Sequence, residues 1–210
     1  LINEHEAKQP LFLYLSFTAP HAPYQAPQDY IDRYQQIADP TRRTYAAMIT
    51  CMDDQIGKVL DALEKRGMRE NTLIFFQSDN GGNRSSMFAG EVDVSKLKLP
   101  SDNGPYREGK GTLYEGGTRV VAVANWPGHI RPGQVDQPIH MVDLAPTLTK
   151  LVGIVDTGGE KPADGLDVWP TISRGETSPR AEIVYNIEPF RAAIRDGEWK
   201  LIWRTPLPSS

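Results

Sequence analysis

Cysteine is nearly absent: Cys51 is the only one in 210 residues. An internal disulfide is therefore excluded, and one thiol identifies no redox compartment. Positive charge is not in excess, with 23 Lys and Arg against 27 Asp and Glu for a net charge of -4. The basic footprint of a nucleic-acid binder is missing, and no polybasic run offers a membrane-surface anchor. The longest apolar run, Leu11 to Phe17, falls far short of the roughly 18 residues that cross a bilayer. No internal repeat or low-complexity tract occurs. No basic start followed by an apolar core marks a signal peptide at Leu1. Leu1-Ile2-Asn3-Glu4-His5 reads instead as the end of a helix ahead of a strand, so Leu1 is not expected to be a natural start.

What remains is an ordinary globular composition, 39% hydrophobic and 24% charged, long enough for one domain with a small appendage. Pro10 to Phe17 is apolar almost throughout, the pattern of a strand buried on both faces of a parallel sheet. A proline-rich loop follows, Thr18-Ala19-Pro20-His21-Ala22-Pro23. A short helix is expected over 29–37 and a long one over 41–66. In the long one Tyr45, Met48, Ile49, Met52, Ile56, Val59, Leu60 and Leu63 keep the 3, 4 spacing of one helical face. Gly67 is a stop signal. Leu73 to Phe76 is a second buried strand, closing a βαβ unit whose strands run parallel. It ends in Ser78-Asp79-Asn80-Gly81-Gly82.

Asn83 to Gly117 is a long loop without periodicity, the kind that usually carries function or stays unstructured. Arg119 to Asn125 is a third strand, His140 to Val152 an amphipathic helix, and Gly153 to Asp164 a surface loop. Beyond about residue 170 the pattern changes to short antiparallel strands over 181–187, 190–194 and 199–203, with Asp196-Gly197 as a hairpin turn. The expected division is 1–169 for an α/β domain and 170–210 for a small antiparallel subdomain.

Ligands in open parallel sheets bind beyond the carboxyl ends of the strands. His21 and the Asp79-Asn80 pair both follow strands and fall at that edge. Asp79 and Asn80 present two oxygens on a glycine turn. They suit a hard cation, which needs six to eight oxygen ligands, but equally a strand-terminating Asx turn. His21, on a proline-stiffened loop, is a candidate general acid or donor to an anion, against a plain solvated histidine. Lys110, in Arg107-Glu108-Gly109-Lys110-Gly111-Thr112, is a candidate for a sulfate or phosphate oxygen, against an exposed loop lysine. It lacks the spacing of a Walker A loop. Asp53-Asp54 is rejected as a metal pair, because neighbours on a helix point about 100° apart. Cys51 reads as a core or groove residue, His5 and His129 as surface, and His140 as a helix-opening residue that caps or packs.

The order and wording of these segments are more telling than each alone. Pro20-His21-Ala22-Pro23, Ser78-Asp79-Asn80-Gly81-Gly82 and Gly109-Lys110-Gly111-Thr112-Leu113-Tyr114-Glu115-Gly116-Gly117-Thr118-Arg119 resemble three consecutive motifs of the sulfatase family. Val142-Asp143-Leu144-Ala145-Pro146-Thr147-Leu148 is similar to the helix that follows them. Gly165-Leu166-Asp167-Val168-Trp169 and Ala192 to Leu201 resemble the arylsulfatase B branch.

The resemblance implies the C-terminal portion of an alkaline-phosphatase-like sandwich, a mainly parallel sheet flanked by helices, with a small antiparallel C-terminal subdomain. It implies sulfate-ester hydrolysis, with a sulfated small molecule or glycan as substrate. By the same resemblance, Asp79 and Asn80 are calcium ligands. His21 and Lys110 contact the sulfate and the leaving oxygen, and Arg107 lies near the substrate. The family's nucleophile, a formylglycine made from a C/S-x-P-x-R motif, has no counterpart: Cys51 is followed by Met52-Asp53-Asp54-Gln55, and no serine fits. It and the paired calcium-binding aspartates belong to an N-terminal half, so this portion alone is expected to be inactive. A sheet without its other strands would expose apolar edges and favour a homodimer. A phosphate or phosphonate ester hydrolase of the same superfamily and a non-catalytic anion- or glycan-binding remnant are the rival readings. Family resemblance puts the protein in the periplasm, outside the cell or in lysosomes.

Overall fold

A computed structural model describes residues 1–85, 99–154, 164–188 and 190–205. The parts of the two expected loops at 86–98 and 155–163 lie outside the described residues. The chain divides into two compact units, one of Leu1–Thr72 and Phe76–Val123, the other of Leu73–Phe75 and Ala124–Ser210.

In the first unit the dominant element is α2, Pro40–Lys65, preceded by the short α1, Gln28–Asp32. The helix α2 starts where its chemistry permits. The Asp39 carboxylate accepts from the Arg42 N–H at 2.9 Å, and Pro40 occupies the first turn, where no N–H is needed. It ends before Gly67, whose φ of 65° suits a residue without a Cβ. Ala47, Met48 and Leu63 are its buried positions, while Ile49, expected on the same face, is partly exposed. Tyr45 packs edge-on against Tyr24, ring centroids 5.9 Å apart. The expected helix over 29–37 is cut to α1, because the backbone leaves helical geometry for turns after Asp32. Asp54 is engaged by Arg33 at 3.3 Å. The Tyr30 hydroxyl, and then Arg33, hold its carboxyl below the usual range.

The strand expected over 11–17 is not formed. No described residue offers these backbone groups a partner, and a strand requires one. Phe12 and Tyr14 stand 83% and 81% exposed. The parallel pair that would close a βαβ unit is consequently absent among the described residues. Instead β1, Ile74–Gln77, pairs with β2, Ala122–Asn125. The Ser78 N–H extends that pairing by donating to the Val121 carbonyl at 3.1 Å.

In the second unit His140 opens a 3₁₀ turn, Met141–Asp143, that runs into α4, Leu144–Leu151. It caps the turn as the sequence suggests: its Nδ1 accepts from the Val142 N–H, and the Asp143 carboxylate accepts from the His140 N–H at 2.7 Å. Asp143 has no exposed surface. Arg180 covers it with two bonds, Nε at 2.7 Å and Nη2 at 2.5 Å, and the Leu166 N–H adds a third at 2.8 Å. Burial alone would raise the Asp143 pKa. The Arg180 bonds and the backbone donors outweigh it and hold the carboxyl below its ordinary value.

The helix α5, Trp169–Arg174, ends at Gly175 with φ 71°. An antiparallel sheet follows in the order β3 (Glu182–Glu188), β4 (Arg191–Asp196), β5 (Trp199–Arg204). Asp196 pairs with Trp199 across the Gly197-Glu198 turn, the hairpin expected at Asp196-Gly197. Alternation sorts its faces: Ile183 and Ala193 are buried, whereas Val184, Trp199, Leu201 and Trp203 are exposed.

Candidate active site

All five candidate residues fall in the first unit. His21 lies on the exposed loop between the cis bonds Ala19-Pro20 and Ala22-Pro23. Its Nδ1 lies 2.7 Å from the Ala22 carbonyl, a contact that assigns the ring proton to Nδ1 and leaves Nε2 as acceptor. That Nε2 receives the Lys110 ammonium at 3.2 Å. Two residues 89 positions apart thus converge, one from each motif loop.

Asp79 and Asn80 stand on the turn just after β1. The Ser78 hydroxyl donates to the Asn80 carbonyl at 2.8 Å, and the Asn80 amide donates to the Gly81 carbonyl at 2.9 Å. This is the turn bonding that the bland reading anticipates. It leaves the Asp79 carboxylate exposed and engages only the nitrogen end of the Asn80 amide.

The Asp79-Asn80 turn and the lysine loop are sewn together through backbone. Gly81 N–H donates to the Gly117 carbonyl at 3.1 Å, Lys110 N–H to the Gly82 carbonyl at 3.2 Å, and Gly116 N–H to the Arg107 carbonyl at 2.9 Å. Such spacing requires glycine. A Cβ on Gly81 would sit 1.7 Å from the Gly116 carbonyl oxygen, and one on Gly116 would sit 2.2 Å from the Glu108 oxygen. The following helix α3, Glu115–Thr118, is a single turn that buries Gly116 and Gly117. Leu113, 1% exposed, anchors the loop in the core.

Arg107 shares the lysine loop, but its guanidinium lies 4.1 Å from the Tyr114 ring centroid, a cation–π contact that fixes it at the surface. Among the described residues no three His, Cys, Asp or Glu side chains gather as a metal cage. Asp79 and Asn80 present hard oxygens on a glycine turn, a donor type that suits calcium, although two side chains cannot complete its six to eight ligands.

Sequence reasoning overlooked Asn103. Its side-chain Oδ1 accepts from the Gly82 N–H at 2.8 Å, while its Nδ2 donates to the Gly82 carbonyl at 3.1 Å and to the Glu108 carbonyl at 2.8 Å. The only local signal was Asn103-Gly104, an ordinary turn dipeptide.

The chain is similar to known sulfatases. The chain is 37% identical over 215 residues to arylsulfatase J of Mus musculus, covering 100% of this chain and 33% of that protein. It is 34% identical to the N-acetylgalactosamine-6-sulfatase of Rattus norvegicus, covering 94% of this chain and 35% of that protein. The crystal structure of Ps i-CgsB in complex with k-i-k-neocarrahexaose superposes with a TM-score of 0.82 at 33% identity, over 99% of this chain and 43% of that one. The chain spans about a third of the length of these curated relatives.

The fold is accordingly the alkaline-phosphatase-like α/β class, with a small antiparallel sheet near the C-terminus. The sulfatase family profile matches residues 1–154, and the chain belongs to the sulfatase family.

Proposed function

We propose that the whole protein hydrolyses sulfate monoesters, and that these residues supply the side of the site that holds the leaving oxygen. The observation that supports this most is the 3.2 Å approach of Lys110 Nζ to His21 Nε2. A sulfate monoester is an anion whose bridging oxygen gains charge as the S–O bond breaks. Two nitrogens that can reach one oxygen act more strongly on that transition state than on the ground state. Lys110 donates from its ammonium. His21, held by the Ala22 carbonyl through Nδ1, brings Nε2 to the same point, and that nitrogen becomes a donor to the departing oxygen only when it carries a proton in place of accepting from Lys110.

Asp79 and Asn80 would hold calcium together with ligands from outside these residues. A bound calcium supplies positive charge against the sulfate oxygens, and the family's formylglycine supplies the nucleophile, for which no C/S-x-P-x-R motif exists in this sequence. On this reading the 210 residues alone are inactive. Arg107 is proposed to meet the substrate at the rim. A sulfated glycan is the proposed substrate class, in keeping with a relative named for N-acetylgalactosamine 6-sulfate and a neighbour solved with k-i-k-neocarrahexaose.

His21→Ala and Lys110→Ala, made in the full-length protein, are each expected to lower kcat on an aryl sulfate by about 10²–10³-fold, the usual cost of a lost transition-state donor. Near-normal turnover of both would remove the assignment. Faster hydrolysis of an aryl phosphate or phosphonate by the wild type would move the activity to the rival ester class.

A further inference from the structure

Asn103 ties together the two loops that carry the candidate chemistry, and it does so with every hydrogen-bonding position but one of its amide. Its Oδ1 accepts from Gly82 N–H and its Nδ2 donates to Gly82 carbonyl, at 2.8 and 3.1 Å, so the amide pairs with that residue as a neighbouring strand would. The same Nδ2 donates at 2.8 Å to the Glu108 carbonyl, two residues before Lys110. Glu108 has φ 63°, the left-handed region that a residue with a Cβ seldom enters. A Cβ makes that conformation unfavourable, and the surrounding structure must enforce it. The enforcement is visible: the Asn103 amide and the close-packed Gly116 both meet the Glu108 carbonyl. The reversal at Glu108 leads into Gly109 and Lys110, whose N–H returns to the Gly82 carbonyl. Asn103 thus contacts the residue that follows the Asp79-Asn80-Gly81 turn and the residue that sets the path of the lysine loop.

We infer that Asn103 is a positioning residue for the proposed sulfatase reaction: it fixes Lys110 relative to the Asp79-Asn80 turn without touching substrate. The inference rests on the proposed role of Lys110. Aspartate at this position is the discriminating substitution. It keeps the acceptor for Gly82 N–H and the side-chain size, but it loses both donated bonds and places a carboxylate against two carbonyl oxygens.

The test is a double-mutant cycle in the full-length protein, comprising Asn103→Asp, Lys110→Ala and the double variant, with kcat on an aryl sulfate as the main readout. Asn103→Asp is expected to lower kcat at least about 10-fold in the wild-type background and less than about 3-fold once Lys110 is Ala, because a residue that acts through Lys110 has nothing left to position. Amide hydrogen exchange supplies a readout free of turnover: protection at Gly82 and Lys110 should fall in Asn103→Asp, with protection in α2 unchanged. Equal losses in both backgrounds, or loss of protection throughout the chain, would make Asn103 a merely structural residue and overturn the inference. A Lys110→Ala variant with normal kcat would instead overturn the proposed function itself. If Asn103→Asp does not fold, Asn103→Ser, which retains a short donor, enters the same cycle and is read by the same criteria.

Discussion

The turn carrying Asp79 and Asn80 and the helix start carrying Asp143 are both polar crossings of chain, yet they are held by different forces. The first is joined by neutral hydrogen bonds, glycine backbone against glycine backbone, with the Asn103 amide as a bridge. The second is joined by charge: a carboxylate without exposed surface, capped by the Arg180 guanidinium and by backbone N–H groups. Neutral backbone bonds fasten these loops without drawing on a charge. A buried ion pair uses its charges up on itself, and it serves as a structural fastening. The contrast separates the part of the molecule proposed for chemistry from one arranged for stability.

Removing Arg180 should have the largest effect on stability. Arg180→Ala leaves Asp143 buried without its partner, and the full-length protein should lose about 3–5 kcal/mol in denaturant unfolding. The pH dependence sharpens the comparison. The folded pKa of Asp143 is depressed, so its contribution is complete above the unfolded carboxylate pKa of about 3.9 and vanishes as pH falls through the folded value. The gap between wild type and Arg180→Ala should accordingly narrow on acidification. A gap independent of pH would show that Arg180 acts by packing alone. His140, whose pKa is lowered by burial and then by the Arg180 charge, adds stability that is complete above about pH 6.5 and declines below it.

Next in size is Gly81→Ala. The added methyl meets a carbonyl oxygen at 1.7 Å, and overpacking of this kind costs about 1–3 kcal/mol. Its larger signature should be kinetic, because a displacement near 1 Å can cost about 10²-fold in rate. A variant with wild-type turnover would show that the two loops need not be in register. The smallest effect is expected for Lys150→Ala. Lys150 pairs with Asp167 at 2.7 Å, but its side chain is 74% exposed, and such a pair contributes about 0–1 kcal/mol. A loss above that range in thermal unfolding would mean that the second unit depends on its surface charges as well as on Asp143.

Much of this was legible from local pattern. The periodicity of α2, its stop at Gly67 and the Asp196-Gly197 hairpin are contacts among near neighbours, and the sequence states them directly. His140 as a cap was equally readable, since its partners lie within three residues. The run Leu11 to Phe17 shows where such reading fails. Its composition is that of a buried strand, but strand formation depends on a neighbour, and none of the described residues is one. Asn103 and Arg180 failed for a related reason. Their partners lie 21 and 37 residues away, and neither a turn asparagine nor an arginine after Ser-Pro advertises a distant contact. The pairing of His21 with Lys110 across 89 positions was foreseeable only because both residues stand in recognisable motifs.

The alternation that leaves one face of β5 bare has an optical consequence. Trp199 and Trp203 are open to water, at 84% and 53% exposure. Trp126 instead stacks on His129 at 4.1 Å and tilts against Trp169 at 5.9 Å, with its indole nitrogen buried. The four tryptophans form two populations. The first faces water and is open to soluble quenchers, and the second is half-buried with its rings in contact. Tryptophan emission from these residues is therefore expected to combine a contribution from the terminal sheet with one from the ring cluster at α5, the first quenched more readily by a soluble quencher such as iodide.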